Sequence, residues 1–89
     1  MANLFIHIKV KNFQEWKKGF DAGADIRALF GLTPDRIFQD ADDSNSVFIL
    51  LKCESIDNAR KFSQSPQLIT SMEKAGVEMP PHFHFMNEA

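Results

Sequence analysis

The chain alternates strand-like and helix-like stretches in the order strand, helix, strand, strand, helix, strand. That order predicts an α+β domain built as a four-stranded antiparallel sheet with helices on one face. Three observations lead to it. Leu4 to Val10 alternates with period two, Phe13 to Phe30 carries apolar residues at helical spacing, and Ser46 to Glu54 is apolar on both faces of a strand.

In the first segment, Leu4, Ile6, Ile8 and Val10 share one face, and Phe5, His7 and Lys9 share the other. Asn12 then reads as a helix N-cap, with Glu15 three residues on in a capping-box pattern. The helix is expected to run to about Phe30, with Gly31 just past its end and Pro34 blocking continuation. Arg36 to Ala41 reads as a second strand and Asp42-Asp43-Ser44-Asn45 as a turn.

The third strand, Ser46 to Glu54, sets Val47, Ile49, Leu51 and Cys53 against Phe48 and Leu50. A strand apolar on both faces is covered on both sides. In so short a chain the helices cover one side, and a second copy is needed for the other. Ser55 or Asp57 starts the next helical stretch, with Ile56, Ala59 and Phe62 inward. Ser65-Pro66 restarts it as N-cap and first helical position, with Leu68, Ile69, Met72 and Ala75 as its apolar face, and Gly76 ends it. Pro80-Pro81 is a stiff lead into a last strand, His82 to Met86. The whole order is the ferredoxin-like split βαβ pattern, βαββαβ.

Composition narrows the function classes. The chain has 89 residues, nine phenylalanines and no tyrosine, which makes one domain over residues 1–89. A chain of this size buries only roughly 60–65% of its unfolded surface, so it gains from a partner subunit. Ten basic residues face twelve acidic ones and are scattered rather than patched, which argues against nucleic-acid binding. No apolar run reaches the ~20 residues of a membrane span. The Met1 to Ile6 stretch lacks a basic region and a cleavage site, and Cys53 is the lone cysteine. A cytoplasmic protein is the expectation.

Arg27 is the most informative single residue. Phe13, Trp16, Phe20 and Ala24 define the buried stripe of the first helix, and at ~100° per residue Arg27 falls between Trp16 and Phe20 in azimuth. Burying an unpaired arginine is costly. It either anchors a carboxylate, enolate or phenolate at the floor of a cleft, pairs with Asp40 or Glu54, or carries its head out to solvent on an aliphatic stem. Trp16 and Phe20 would wall such a cleft, although such a tryptophan is more often core.

The histidines form the second constellation. His82 and His84 share a strand face, and His7 lies on the neighbouring strand. If Ile6 and Ile8 face the helices together with Phe83 and Phe85, the three imidazoles point to the opposite side. With the faces reversed they line the helix-side cleft near Arg27. They could bind zinc or copper through three nitrogens, supply a general base such as His84 or His7, contact a ligand through His82, or pack at a dimer interface. Asp40, Asp42 and Asp43 read as a solvated turn rather than a calcium loop, and Cys53 as core.

The run Val10-Lys11-Asn12-Phe13-Gln14-Glu15-Trp16-Lys17-Lys18-Gly19-Phe20-Asp21 resembles the strand-to-helix signature of the dimeric α/β-barrel superfamily. So do Ile26-Arg27 ahead of Gly31-Leu32, the Arg36 to Asp43 hairpin, and Ser65-Pro66 before Met72-Glu73-Lys74-Ala75-Gly76-Val77. The superfamily includes antibiotic-biosynthesis monooxygenases, haem-degrading monooxygenases, muconolactone-isomerase-like enzymes and polyketide-cyclase-like proteins. The chain is most similar to a small bacterial branch of it without an assigned activity. The resemblance implies a homodimer whose sheets close an α/β barrel, and a ligand cleft between each sheet and its own helices. It does not transfer a reaction.

Haem-degrading members use a helical histidine on iron, whereas all three histidines here fall on predicted strands; no cofactor is expected. Several cofactor-independent oxygenases of this fold use an Asn/Trp or Tyr/Trp set, and this chain has no tyrosine. The expected function is binding of a small organic ligand, anionic or aromatic, in the helix-side cleft, with monooxygenase, isomerase or cyclase chemistry. The alternatives are a non-catalytic dimeric binding module and a metal-binding barrel using His7, His82 and His84.

Overall fold

A computed structural model describes residues 2–89; Met1 lies outside the described residues. The elements are β1 (Ala2–Val10), α1 (Phe13–Ala22), α2 (Ala24–Leu29), β2 (Leu32–Gln39), β3 (Ser46–Cys53), α3 (Ile56–Ser63), α4 (Pro66–Lys74) and β4 (Val77–Asn87). The strands form one antiparallel sheet in the order β2-β3-β1-β4. This is the ferredoxin-like α+β arrangement the element order predicts.

The central pair sets the layers. Leu4 lies opposite Leu51, Ile6 opposite Ile49 and Ile8 opposite Val47. These six side chains are buried under the helices, together with Val10, Cys53, Trp16, Ala59, Phe62 and Met72. On β4, Phe85 and Phe83 face Leu4 and Ile6, so they belong to the same helix-covered side.

Local chemistry closes the helices where the sequence indicates. Asn12 Oδ1 accepts the Glu15 N–H at 3.0 Å, and Ser55 Oγ accepts the Asn58 N–H at 3.1 Å. Pro66 starts α4, where a missing N–H costs nothing. Gly31 and Gly76 adopt φ values of 71° and 80° just past α2 and α4, a conformation that favours glycine.

The long first helix expected from the stripe is two helices. The chain turns at Gly23, whose N–H reaches back to the Gly19 and Phe20 carbonyls. Ala24, placed on the buried stripe by periodicity, is exposed as a result. β2 begins at Leu32, before Pro34, and β4 begins at Val77, before Pro80-Pro81. Both are edge strands, where a proline leaves its missing donor facing outward. The ladders shift register beside these prolines, between Pro34 and Arg36 and between His7 and Lys9. The Met79–Pro80 peptide bond is cis.

Cys53 sits in the helix-covered layer at 3% exposure, its thiol directed at the Leu51 carbonyl at 3.7 Å. Burial pushes this thiol up from its ordinary value, opposed by a weaker hydrogen bond from the Leu4 backbone. The folded state therefore favours the neutral thiol. This contribution is fully present below the unfolded value of about 9 and is lost as pH rises through the folded one. Urea midpoints measured from pH 8 to 10 should fall further for the wild-type chain than for Cys53→Ala; parallel falls would contradict this origin.

Candidate functional site

Two regions hold the residues singled out by the sequence, one on each side of the sheet. The first is a cavity between sheet and helices, with a volume of about 70 Å³. Its floor is Ile6, Ile8, Ile49 and Leu51. Trp16 and Phe20 wall it from α1, with ring centroids 5.1 Å apart, and Phe62 and Met72 close it from α3 and α4. Gly19 and Ser71, both exposed, mark its rim between α1 and α4. About 150 Å³ suffices to hold benzene in an apolar core. Seating an aromatic ring here thus requires flexible side chains such as Met72 and Leu68 to give way.

Arg27 is the one charged residue of the lining, and Ser71 contributes the one side-chain hydroxyl. The arginine is only 7% exposed. Its guanidinium carbon lies 3.8 Å from the Phe20 ring centroid, a cation–π stack that orients the group. Its Nε is buried without a hydrogen-bond partner. Among the described residues the ion pairs are Lys9–Asp43, Lys17–Asp21 and Lys18–Glu15, and none includes Arg27. The pairings with Asp40 or Glu54 considered from the sequence do not form. Burial lowers the guanidinium below its ordinary value, and attraction to Asp21 offsets part of that. An arginine so placed is still a cation at neutral pH.

Gly23 lets the guanidinium lie close to the helix break. A Cβ there would meet Arg27 Nη1 at 3.3 Å. A Cβ on Gly19 would meet the Ala75 Cβ at the same distance, so α1 and the end of α4 approach closely beside the rim. Sequence reading passed over both glycines and Ser71. The cue was the small run Ala22-Gly23-Ala24 inside an apolar stripe, a weak point for a helix.

The second region is the opposite face of the sheet. His7 pairs with His82 across β1 and β4, and Phe5 pairs with His84. All three imidazoles therefore point away from the helices. The sheet separates them from Arg27, and the reversed assignment, with histidines lining the helix-side cleft, is ruled out by this register. His7 Nε2 shares a hydrogen bond of 2.9 Å with Ser46 Oγ, and its ring stacks on Phe48 at 4.3 Å. His82 lies 6.2 Å from His7, and His84 lies 6.3 Å from Phe5, centroid to centroid. Among the described residues no three His, Cys, Asp or Glu side chains gather closely enough to hold a metal ion. The three histidines of one chain thus do not gather into the metal site drawn from the sequence.

The same face carries Phe5, Phe48 and Leu50, half-buried, and the more exposed Phe38 and Met86. No helix covers it. No helix among the described residues is long and apolar enough to cross a membrane.

No family model matches the chain, and no curated protein matches its sequence. Solved structures do match over its whole length. A protein provisionally named as an antibiotic biosynthesis monooxygenase from Bordetella bronchiseptica superposes with a TM-score of 0.80 at 14% identity, covering 99% of this chain and 96% of that one. SnoaB, a cofactor-independent oxygenase from Streptomyces nogalater, gives 0.74 at 14% identity, covering 99% and 92%. A provisionally named antibiotic biosynthesis monooxygenase from Nitrosomonas europaea gives 0.70 at 14% identity, covering 99% and 98%. The chain has the ferredoxin-like fold of antibiotic biosynthesis monooxygenase-like proteins.

Proposed function

We propose that this chain is a homodimeric α/β-barrel protein that binds a small organic molecule in the helix-side cavity and oxygenates it without a cofactor. The observation that carries the reading is the cavity itself: apolar walls around one buried cation, reached from a rim between α1 and α4. Ligand sites are commonly apolar concavities with a few placed polar groups.

Isomerase and cyclase chemistry need a proton donor or acceptor at the substrate. No carboxylate or imidazole lines this cavity, whereas oxygenation can begin from a guest that arrives already ionised. In it the chain's residues bind and position. Trp16, Phe20 and the sheet floor exclude water, and Arg27 holds an anionic group of the substrate. The name of SnoaB points the same way.

The homodimer rests on the second sheet face. Phe5, Phe48 and Leu50 fill the middle of that face, and a two-fold partner presenting the same residues would cover them. Apolar side chains on one open face of a chain this small mark a contact surface.

Hydroquinone serves as a probe of the cavity. Under nitrogen it should change the emission of Trp16, the single tryptophan, in a saturable way, and under isotopically labelled oxygen the protein should accelerate formation of hydroxybenzoquinone, one labelled oxygen atom entering the ring and the other leaving as water. Ser71→Phe, which places a ring at the rim, should abolish both effects. A non-saturable response under nitrogen would remove the binding reading. Saturable binding without protein-dependent incorporation of oxygen would leave a binding module and remove the oxygenase.

The assembly is checked by sedimentation at micromolar concentrations. The wild-type chain should run as a species of twice its 10.1 kDa mass. Leu50→Asp, which buries an unpaired charge at the contact, should abolish that species. A wild-type chain that sediments only as the monomer would contradict the pairing.

A further inference from the structure

The charge balance of the cavity says more about its ligand than its shape does. Its lining holds one cation and no anion. Arg27 is more than nine-tenths buried, and its Nε has no partner. A buried donor without an acceptor costs free energy that a bound acceptor returns. A neutral guest would return part of it and leave the charge facing only Asp21, which lies outside the lining and is itself paired with Lys17. A dianion would leave a net negative charge among Ile, Leu, Phe and Trp side chains. One negative charge balances the site.

No group in the lining can create that charge. A general base must reach the proton it removes, directly or through one water, and the histidines lie across the sheet. The guest therefore brings its charge with it. An ordinary phenol, with a pKa near 10 as for tyrosine, arrives protonated at neutral pH; a carboxylic acid arrives ionised.

The guanidinium is also set in orientation. One face lies on the Phe20 ring, and Nη1 lies 3.3 Å from where a Gly23 Cβ would stand. The guanidinium N–H groups point outward in its plane, so an oxygen meets the fork at an edge. Lysine would supply a charge but neither the stack nor the fork.

We infer that the ligand of this cavity is a compact monoanion, a carboxylate or an equally acidic enol on an apolar body, taken by an edge of the Arg27 guanidinium that stacks on Phe20. The inference rests on the cavity being the binding site proposed above.

Benzoate and benzamide, matched in shape and differing in charge, separate the two. In titrations followed by Trp16 emission or ligand-detected NMR, benzoate should bind the wild-type chain at least tenfold more tightly than benzamide. Arg27→Met should remove that difference, chiefly by weakening benzoate, and it should unfold at the same temperature or higher because an unmatched buried charge is gone. Equal affinities in the wild-type chain, with hydroquinone still bound saturably, would overturn the monoanion and leave the cavity reading intact. Failure of all three probes to bind would overturn both. The wild-type comparison needs no variant, so the result stands even if Arg27→Met does not fold.

Discussion

The rest of this structure depends on the antiparallel pairing of β1 with β3. The register that sets Leu4 against Leu51 and Ile6 against Ile49 produces a buried apolar floor under the helices. It also forces Phe5, His7, Phe48 and Leu50 onto the other side. Pairing fixes both faces at once, because side chains in a strand alternate with period two. The helices are shaped to the floor. Trp16, Phe62 and Met72 come down onto it from three different helices, and the space they leave unfilled is the cavity. Arg27 is held above that floor by Phe20, so its unmatched charge is a by-product of the same packing.

Most of the architecture was legible in the alternation. β1 and β3 carry it unbroken, and their limits agree with expectation to within two residues. The capping residues Asn12 and Ser55 act as their types imply. The helical stripe also put Arg27 beside Trp16 and Phe20, and that held through a helix break the stripe does not reveal. The edge strands begin earlier than expected, at Leu32 and Val77, because Pro34 reads as a helix stop and Pro80-Pro81 as a stiff lead, and neither reading counts what an edge allows to proline. On an outer edge it merely lacks a donor that had no partner to meet.

The site was less legible, for a physical reason. Whether His7, His82 and His84 accompany Arg27 depends on which face of β1 the helices cover, and both faces are apolar. Burial decides between them. The helix side takes the aliphatic set of Leu4, Ile6 and Ile8, and the other takes aromatic and imidazole rings. The roles of Gly19 and Gly23 could not be read from pattern at all. What matters there is the distance from a missing Cβ to an atom far off in the chain.

The sheet is one residue thick, and that has a consequence for how β1 can change over time. Neighbouring positions such as Ile6 and His7 report to different compartments, one enclosed with Arg27 and one open to whatever meets the free face. Substitutions at even positions would be felt by the enclosed chamber, and those at odd positions by the outer surface. The two could drift independently along a single strand of nine residues. A deletion or insertion of one residue has no such freedom: it exchanges the two sets and turns imidazole into floor and isoleucine into surface. The strand tolerates editing letter by letter and resists any change in its length.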